Sequence, residues 1–185
     1  MVSNWNELLE GLTAKINSEG KSVSEAVDDP YHLISDIFEP GIVLTSESGR
    51  HEFDGRKGLY IFFMTDDVHL TRQQVSTWNT KPREAGLSST LAQDLNKGDC
   101  LYVGSAYSKT GSLSVRLGKH FGPSNGSEPH GLALNYPTRN AVSGKVKVVI
   151  FPMKREFNKY APLILPRIEK VLHNRLSPKA GSSRT

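Results

Sequence analysis

Apolar positions recur along this chain at two different periods. Trp5, Leu8, Leu9, Leu12 and Ile16 fall at helical spacing behind Ser3 or Asn4 as a cap, which predicts an amphipathic helix. Ser22 to Ile37 repeats the pattern through Val23, Ala26, Tyr31, Leu33, Ile34 and Ile37, with Pro30 breaking it in two. The period then changes. Ile42 to Thr45 is a short strand candidate, and Gly58 to Met64 (Gly-Leu-Tyr-Ile-Phe-Phe-Met) is an aromatic, β-branched run that predicts a buried strand. Cys100 to Val103 is the next strand, and Lys145 to Phe151, which opens with alternation, is the last. Ser112 to Phe121 reads as a short helix. Pro166 to Leu176 reads as another, with proline in its first turn and Pro178 as its stop. Ser46 to Lys57 and Gly122 to Gly144 are loop-like in composition. Thr65 to Gly98 is a long polar insert with a helical stretch at Thr90 to Leu95. The tail from Lys179 to Thr185 is expected to be mobile.

Strands interleaved with helices predict an α/β or α+β domain, and 185 residues suit one domain. A net charge of +4 and a pI near 9.2 are a mild basic excess. They permit a polyanionic partner without demanding one. A single cysteine, Cys100, excludes an intramolecular disulfide and fits a reducing compartment. The N-terminus lacks a basic region followed by an apolar stretch, and runs such as Leu59 to Met64 are far too short to span a bilayer. The expectation is a cytoplasmic protein with no membrane partner.

The chemistry-bearing residues sit on the predicted elements. Leu113, Leu117 and Phe121 form one helical stripe, and Arg116 and His120, one turn apart, lie on its edge. Arginine can hold a phosphate oxygen and offset transition-state charge; histidine can bind a phosphate or carry a proton. The plainer reading is a solvated helix flank. In the last helix Leu165, Ile168, Val171, Leu172 and Leu176 form the apolar face, and Glu169 sits at its margin. A carboxylate there calls for a partner, either a hard cation or an ion pair with Arg116, Arg167 or Lys170. Tyr60 and Tyr102 are strand aromatics, a type more often core than catalytic. A thiol hydrolase pairing Cys100 with His120 or His130 is a weaker reading, because Cys100 opens a strand with no helix N-terminus to activate it.

Taken in order, Gly58-Leu59-Tyr60, Tyr102-Val103-Gly104, the Arg116/His120 helix and the Glu169 helix resemble the GIY-YIG nuclease superfamily over residues 58 to 178. The resemblance implies a small three-stranded antiparallel sheet flanked by helices, in an α+β domain, with residues 1–57 as a helical extension packed on it. It implies a Mg²⁺-dependent endodeoxyribonuclease, with Mn²⁺ as a substitute. Glu169 would be the single protein ligand of the metal and Tyr60 would take the proton of an attacking water. Tyr102 would position phosphate or nucleophile, and Arg116 and His120 would bind the scissile phosphate. An asparagine usually found past the glutamate is absent, with Ser182 or Ser183 as stand-ins, and Ser105 occupies a position often held by lysine.

Double-stranded DNA is the expected partner. Ser105, Lys109 and Lys119 are candidate contacts to its backbone. Arg72, Gln73, Gln74 and Arg83 in the insert, and Arg139 in the later loop, are candidate contacts to base edges or backbone. The same side chains in polar loops are more often simply solvated. A small stand-alone chain with such an insert looks like a type II restriction endonuclease. Palindromic cutting favours a homodimer, whereas sequential nicking needs only a monomer. The alternatives are a repair or structure-specific nuclease and a non-catalytic nucleic-acid-binding module on the same fold.

Overall fold

The computed structural model describes residues 37–44, 47–65, 71–74, 76–78, 100–108, 110–122, 131–132, 134 and 145–180. The helices expected before Ile37, the stretch Thr90 to Leu95, and Arg83, Lys109, His130, Arg139, Ser182 and Ser183 lie outside these residues.

The described residues are α+β around an antiparallel sheet of four strands, one more than the resemblance implies. The strands are β1 (Ile42–Leu44), β2 (Gly58–Met64), β3 (Cys100–Ala106) and β4 (Val146–Pro152), in the order β1-β4-β2-β3. The extra strand is the short apolar run at Ile42, which pairs with β4 from Ile42↔Ile150 to Leu44↔Val148. The segment before Gly58 therefore contributes to this same unit. Ser46 to Lys57, loop-like in composition, contains a 3-10 helix, Glu47–Phe53, whose Phe53 is buried in the core.

Strand β2 is central and covered on both faces, which is why it reads as an unbroken apolar run rather than an alternation. On one face, α1 (Leu113–Phe121) packs Leu113 and Leu117 against Tyr60 and Phe62, joined by Phe53, Trp78, Leu132 and Leu134. On the other, α2 (Ala161–Leu176) packs Leu165, Ile168, Val171 and Leu172 against Leu59, Ile61 and Val103. The second helix starts earlier than its sequence suggests. Ala161 and Pro162 form its first turn, and Pro166, the expected start, lies inside it. At the sixth helical position Pro166 lacks the N–H that would bond to the Pro162 carbonyl, so one rung of the ladder is missing there.

A β-bulge decides which way β3 faces. Phe62 pairs with Tyr102 but Phe63 pairs with Cys100, so Leu101 has no opposite residue. Leu101 and Tyr102 consequently both pack with the α1-side cluster, while Cys100 packs with the α2 side.

The entry to α1 is held by the residues just before β2. Leu113 donates its backbone N–H to the Arg56 carbonyl at 2.8 Å, and the Lys57 ammonium donates to the carbonyls of Ser108 (2.6 Å) and Gly111. Ser112 caps the helix, its Oγ accepting from the Val115 N–H at 3.3 Å, an arrangement that contributes about 1 kcal/mol. Arg56 is itself anchored to Glu39 by an ion pair of 2.5 Å.

The first residues of the expected mobile tail, Lys179 and Ala180, are packed on the sheet, while residues 181–185 lie outside the described residues. Pro178, Lys179 and Ala180 are buried, and the Lys179 and Ala180 amides donate to the Cys100 and Leu101 carbonyls of β3 at 3.1 and 2.8 Å. These bonds satisfy acceptors on what is otherwise the sheet's outer strand. Among the described residues no helix is long and apolar enough to cross a membrane.

Candidate active site

Tyr60, Tyr102, Arg116, His120 and Glu169 come from four elements and converge near β3. Tyr60 lies directly opposite Gly104 in the β2–β3 register, and its ring crosses that glycine. A Cβ at Gly104 would fall 2.5 Å from the Tyr60 oxygen and 2.7 Å from Tyr102 Cε1. The glycine of the Tyr-Val-Gly triplet is therefore required by the tyrosine across the strand, not by its own dihedrals. The Tyr60 and Tyr102 rings stack with centroids 6.3 Å apart, and the His120 ring sits 5.2 Å from one and 4.6 Å from the other. We expect Gly104→Ala to push the Tyr60 ring aside and lower stability by about 1–3 kcal/mol, read as a lower urea midpoint. An unchanged midpoint would show that the ring can shift freely.

His120 is placed differently from its sequence expectation. It is 0% exposed, packed between Tyr60, Phe62 and Tyr102, rather than at the rim of the core. Segment 131–134 brings Leu132 and Leu134 over it. The Leu132 N–H donates to His120 Nδ1 at 3.0 Å and the Leu134 N–H donates to the His120 carbonyl at 2.8 Å. Gly131 permits this approach, because a Cβ there would strike the Lys119 carbonyl.

An amide N–H can only donate, so Nδ1 is the accepting nitrogen and the proton of the neutral ring is on Nε2. Nε2 lies 3.0 Å from Tyr60 Oη and so donates to it. Both ring nitrogens are thus engaged within the protein. His120 has none left for a phosphate and no lone pair with which to take the Tyr60 proton. It holds the Tyr60 hydroxyl by a hydrogen bond, where the sequence reading expected a phosphate contact.

Burial, and then the nearby Arg116 charge, hold the His120 imidazole well below its ordinary pKa. The folded protein therefore binds this proton less readily than the unfolded chain. Stability from this group is fully present above about pH 6.5 and is lost as pH falls below that, with a limiting slope of about 1.4 kcal/mol per pH unit. His173, lowered by burial, acts in the same direction. Urea midpoints measured between pH 8 and 5 test this; a midpoint that rises on acidification contradicts the neutral His120.

Tyr60 is also fully buried, and burial first, then Tyr102, pushes its phenol well above the ordinary value near 10. The Arg116 charge opposes this. The Tyr60 oxygen thus receives the His120 Nε2–H and lies in the field of the Arg116 cation, and both favour the phenolate over the phenol. Arg116 itself is half-buried. Burial disfavours its charge, but Tyr60, Tyr102 and Glu169 outweigh burial, so its pKa is raised and it remains a cation. Its Nε is buried without a hydrogen-bond partner.

Glu169 stands at the margin of the apolar face of α2, half-buried as expected, and its charge reaches Tyr60 and Arg116. The Ser105 hydroxyl donates to Glu169 Oε2. Ser105 is buried, so it is not placed as a contact to DNA. Among the described residues no group of three or more His, Cys, Asp or Glu side chains is gathered as a metal cage. A single carboxylate still fits Mg²⁺, which keeps several waters and takes further oxygens from a bound phosphate.

The insert is partly described. Residues 72–74 and 76–78 are helical, Arg72 and Gln73 are exposed, and Trp78 is buried in the α1-side core. Thr71 Oγ1 accepts from the Gln74 N–H at 3.2 Å while Gln74 Oε1 accepts from the Thr71 N–H at 2.7 Å. This reciprocal pair is a capping box, so Gln74 closes a helix start instead of projecting towards bases. Lys119 is half-buried on α1. Cys100 faces the α2 side, away from the His120 cluster, and burial pushes its thiol up to about 12. That leaves no thiolate for a Cys/His hydrolase.

Two contributors have no clear mark in the sequence: the Leu132 amide, a backbone group, and the bulge at Leu101. Gly131 is the one local sign that the chain passes close to α1 there. Comparison with protein-family models, curated proteins and solved structures finds no match to this chain.

Proposed function

We propose that this chain is a metal-dependent endonuclease that hydrolyses phosphodiester bonds in double-stranded DNA, of the GIY-YIG type. The observation that carries this reading is the meeting of two tyrosines at Gly104, with an arginine cation and one carboxylate within electrostatic reach of Tyr60. Glu169 would hold Mg²⁺ or Mn²⁺, which would supply Lewis-acid polarisation and solvent of lowered pKa. Arg116 offsets charge on the phosphorane-like transition state. Tyr102, the more exposed of the two phenols, orients the phosphate. Tyr60, one layer deeper, takes up the proton of the attacking water, and the His120 Nε2–H and Arg116 steady its phenolate. Arg72 and Gln73, exposed on the insert, are the described candidates for contacts to base edges. Together with Arg83 and Arg139 they make a restriction-type activity the finer form of the proposal, and palindromic sites would call for a homodimer.

The pH dependence of cleavage tests the role of Tyr60. A phenol held above its ordinary value must be ionised to accept a proton, so the single-turnover rate should rise with pH up to at least about pH 9, and Tyr60→Phe should lose that activity. A rate that is flat from pH 7 to 9 removes Tyr60 as the base. A second reading, a non-catalytic nucleic-acid-binding module, is favoured by one observation, the complete burial of Tyr60. It is separated from the first by DNA binding without cleavage in Mg²⁺ or Mn²⁺.

A further inference from the structure

Ser105 lies on the face of β3 turned towards α2, opposite Leu59 in the register and beside Val103 and Ile61. It is a hydroxyl in an apolar layer, 4% exposed, and the α2 residues packed on this layer are Leu165, Ile168 and Leu172. A buried hydroxyl without a partner is costly, and so is a half-buried carboxylate. Ser105 Oγ and Glu169 Oε2 satisfy each other across 64 residues of sequence.

A hydroxyl can donate to a carboxylate, and such a bond favours the charged form. It also restricts rotation of the carboxylate. With Oε2 held by β3, the glutamate torsions are no longer free and the orientation of Oε1 is set before any ligand arrives. The ordering is then completed on folding rather than on binding, which is preorganisation. Groups that hydrogen-bond to a ligating carboxylate usually set metal affinity as well as geometry.

We infer that Ser105 is the positioning residue of the Glu169 metal site: its hydroxyl holds the carboxylate oriented for a hard divalent cation. The inference rests on the reading of Glu169 as a metal ligand. A purely structural role, as a staple between β3 and α2, would change stability and leave metal affinity alone.

Mn²⁺ alone, titrated with the full chain and followed by water-proton relaxation, separates these roles. Wild type, Ser105→Ala and Glu169→Gln are compared, with thermal unfolding measured for each. Ser105→Cys, nearly isosteric and a poor donor, replaces the alanine variant if that does not fold. The expected result is a Mn²⁺ site in the wild type, lost in Glu169→Gln and weakened about tenfold or more without the serine hydroxyl. Wild-type Mn²⁺ affinity in the Ser105 variants, with the site still lost in Glu169→Gln, overturns the role of Ser105 and leaves the metal site standing. Wild-type affinity in Glu169→Gln removes the metal site itself, and the Ser105 proposal with it.

Discussion

Replacing Glu169 with glutamine should abolish Mg²⁺-dependent cleavage and leave DNA binding nearly intact. The substitution keeps the shape of the side chain and keeps an oxygen that can accept from Ser105, so the packing of α2 on β3 is retained. What it removes is the negative charge that a hard cation requires. The charge is not a phosphate contact; a carboxylate repels phosphate. Affinity should therefore hold steady or improve slightly while the chemical step disappears. Single-turnover cleavage in Mg²⁺, set beside a band-shift titration without metal, reads the two quantities separately. A variant that cuts at the parental rate would show that the metal, if one is used, is held elsewhere.

Arg116→Ala should lower the single-turnover rate by at least about a hundredfold, the usual scale for one preorganised donor aimed at developing charge. The guanidinium is half-buried, remains a cation, and stands within electrostatic reach of Tyr60, Tyr102 and Glu169. Low solvent exposure makes each of these interactions stronger than it would be at an open surface. The same substitution takes away the positive charge that favours the Tyr60 phenolate, so the phenol should become still harder to ionise. It also removes a charge that depresses His120, which should soften the loss of stability at acid pH. Lysine at this position keeps the charge without the planar fork and should recover only part of the rate. A loss confined to DNA affinity would make Arg116 an ordinary backbone contact.

Local pattern carried much of the fold. Strand β2 has the bounds Gly58 to Met64 expected from its composition, because a continuous apolar run between Lys57 and Thr65 leaves little choice. Helix α1 begins after Ser112, where a capping residue meets an apolar stripe. The short run at Ile42 was readable as a strand, but its membership of the sheet depends on pairing with β4, more than 100 residues away. The start of α2 was misread because Pro166 looks like a first-turn proline while Pro162 plays that part.

The site was legible in its residue types and less so in their roles. Helical periodicity puts His120 beside Arg116 on the edge of a stripe, and within an isolated helix that is correct. The residues that bury it, Leu132 and Leu134, arrive from a segment whose composition reads as loop. Ser105 has the same history: a small polar residue after Tyr-Val-Gly suggests an open backbone, and only its contact with Glu169 gives it a buried partner. Gln74 looked suited to reading bases until Thr71, three residues earlier, claimed its amide. For His120 and Ser105 a contact partner distant in sequence assigns the side chain, which composition does not encode, whereas the Thr-x-x-Gln spacing at Gln74 is itself a capping-box signature.

The most direct measurement is incubation of the full chain with assorted plasmid and phage DNA, with Mg²⁺, with Mn²⁺ and with chelator, beside Glu169→Gln as control. The expected result is cleavage in either metal, in discrete bands if recognition is sequence-specific, and none with chelator or in the Glu169 variant. DNA that is bound by the folded protein but left intact in both metals would contradict the nuclease and leave a binding module in its place.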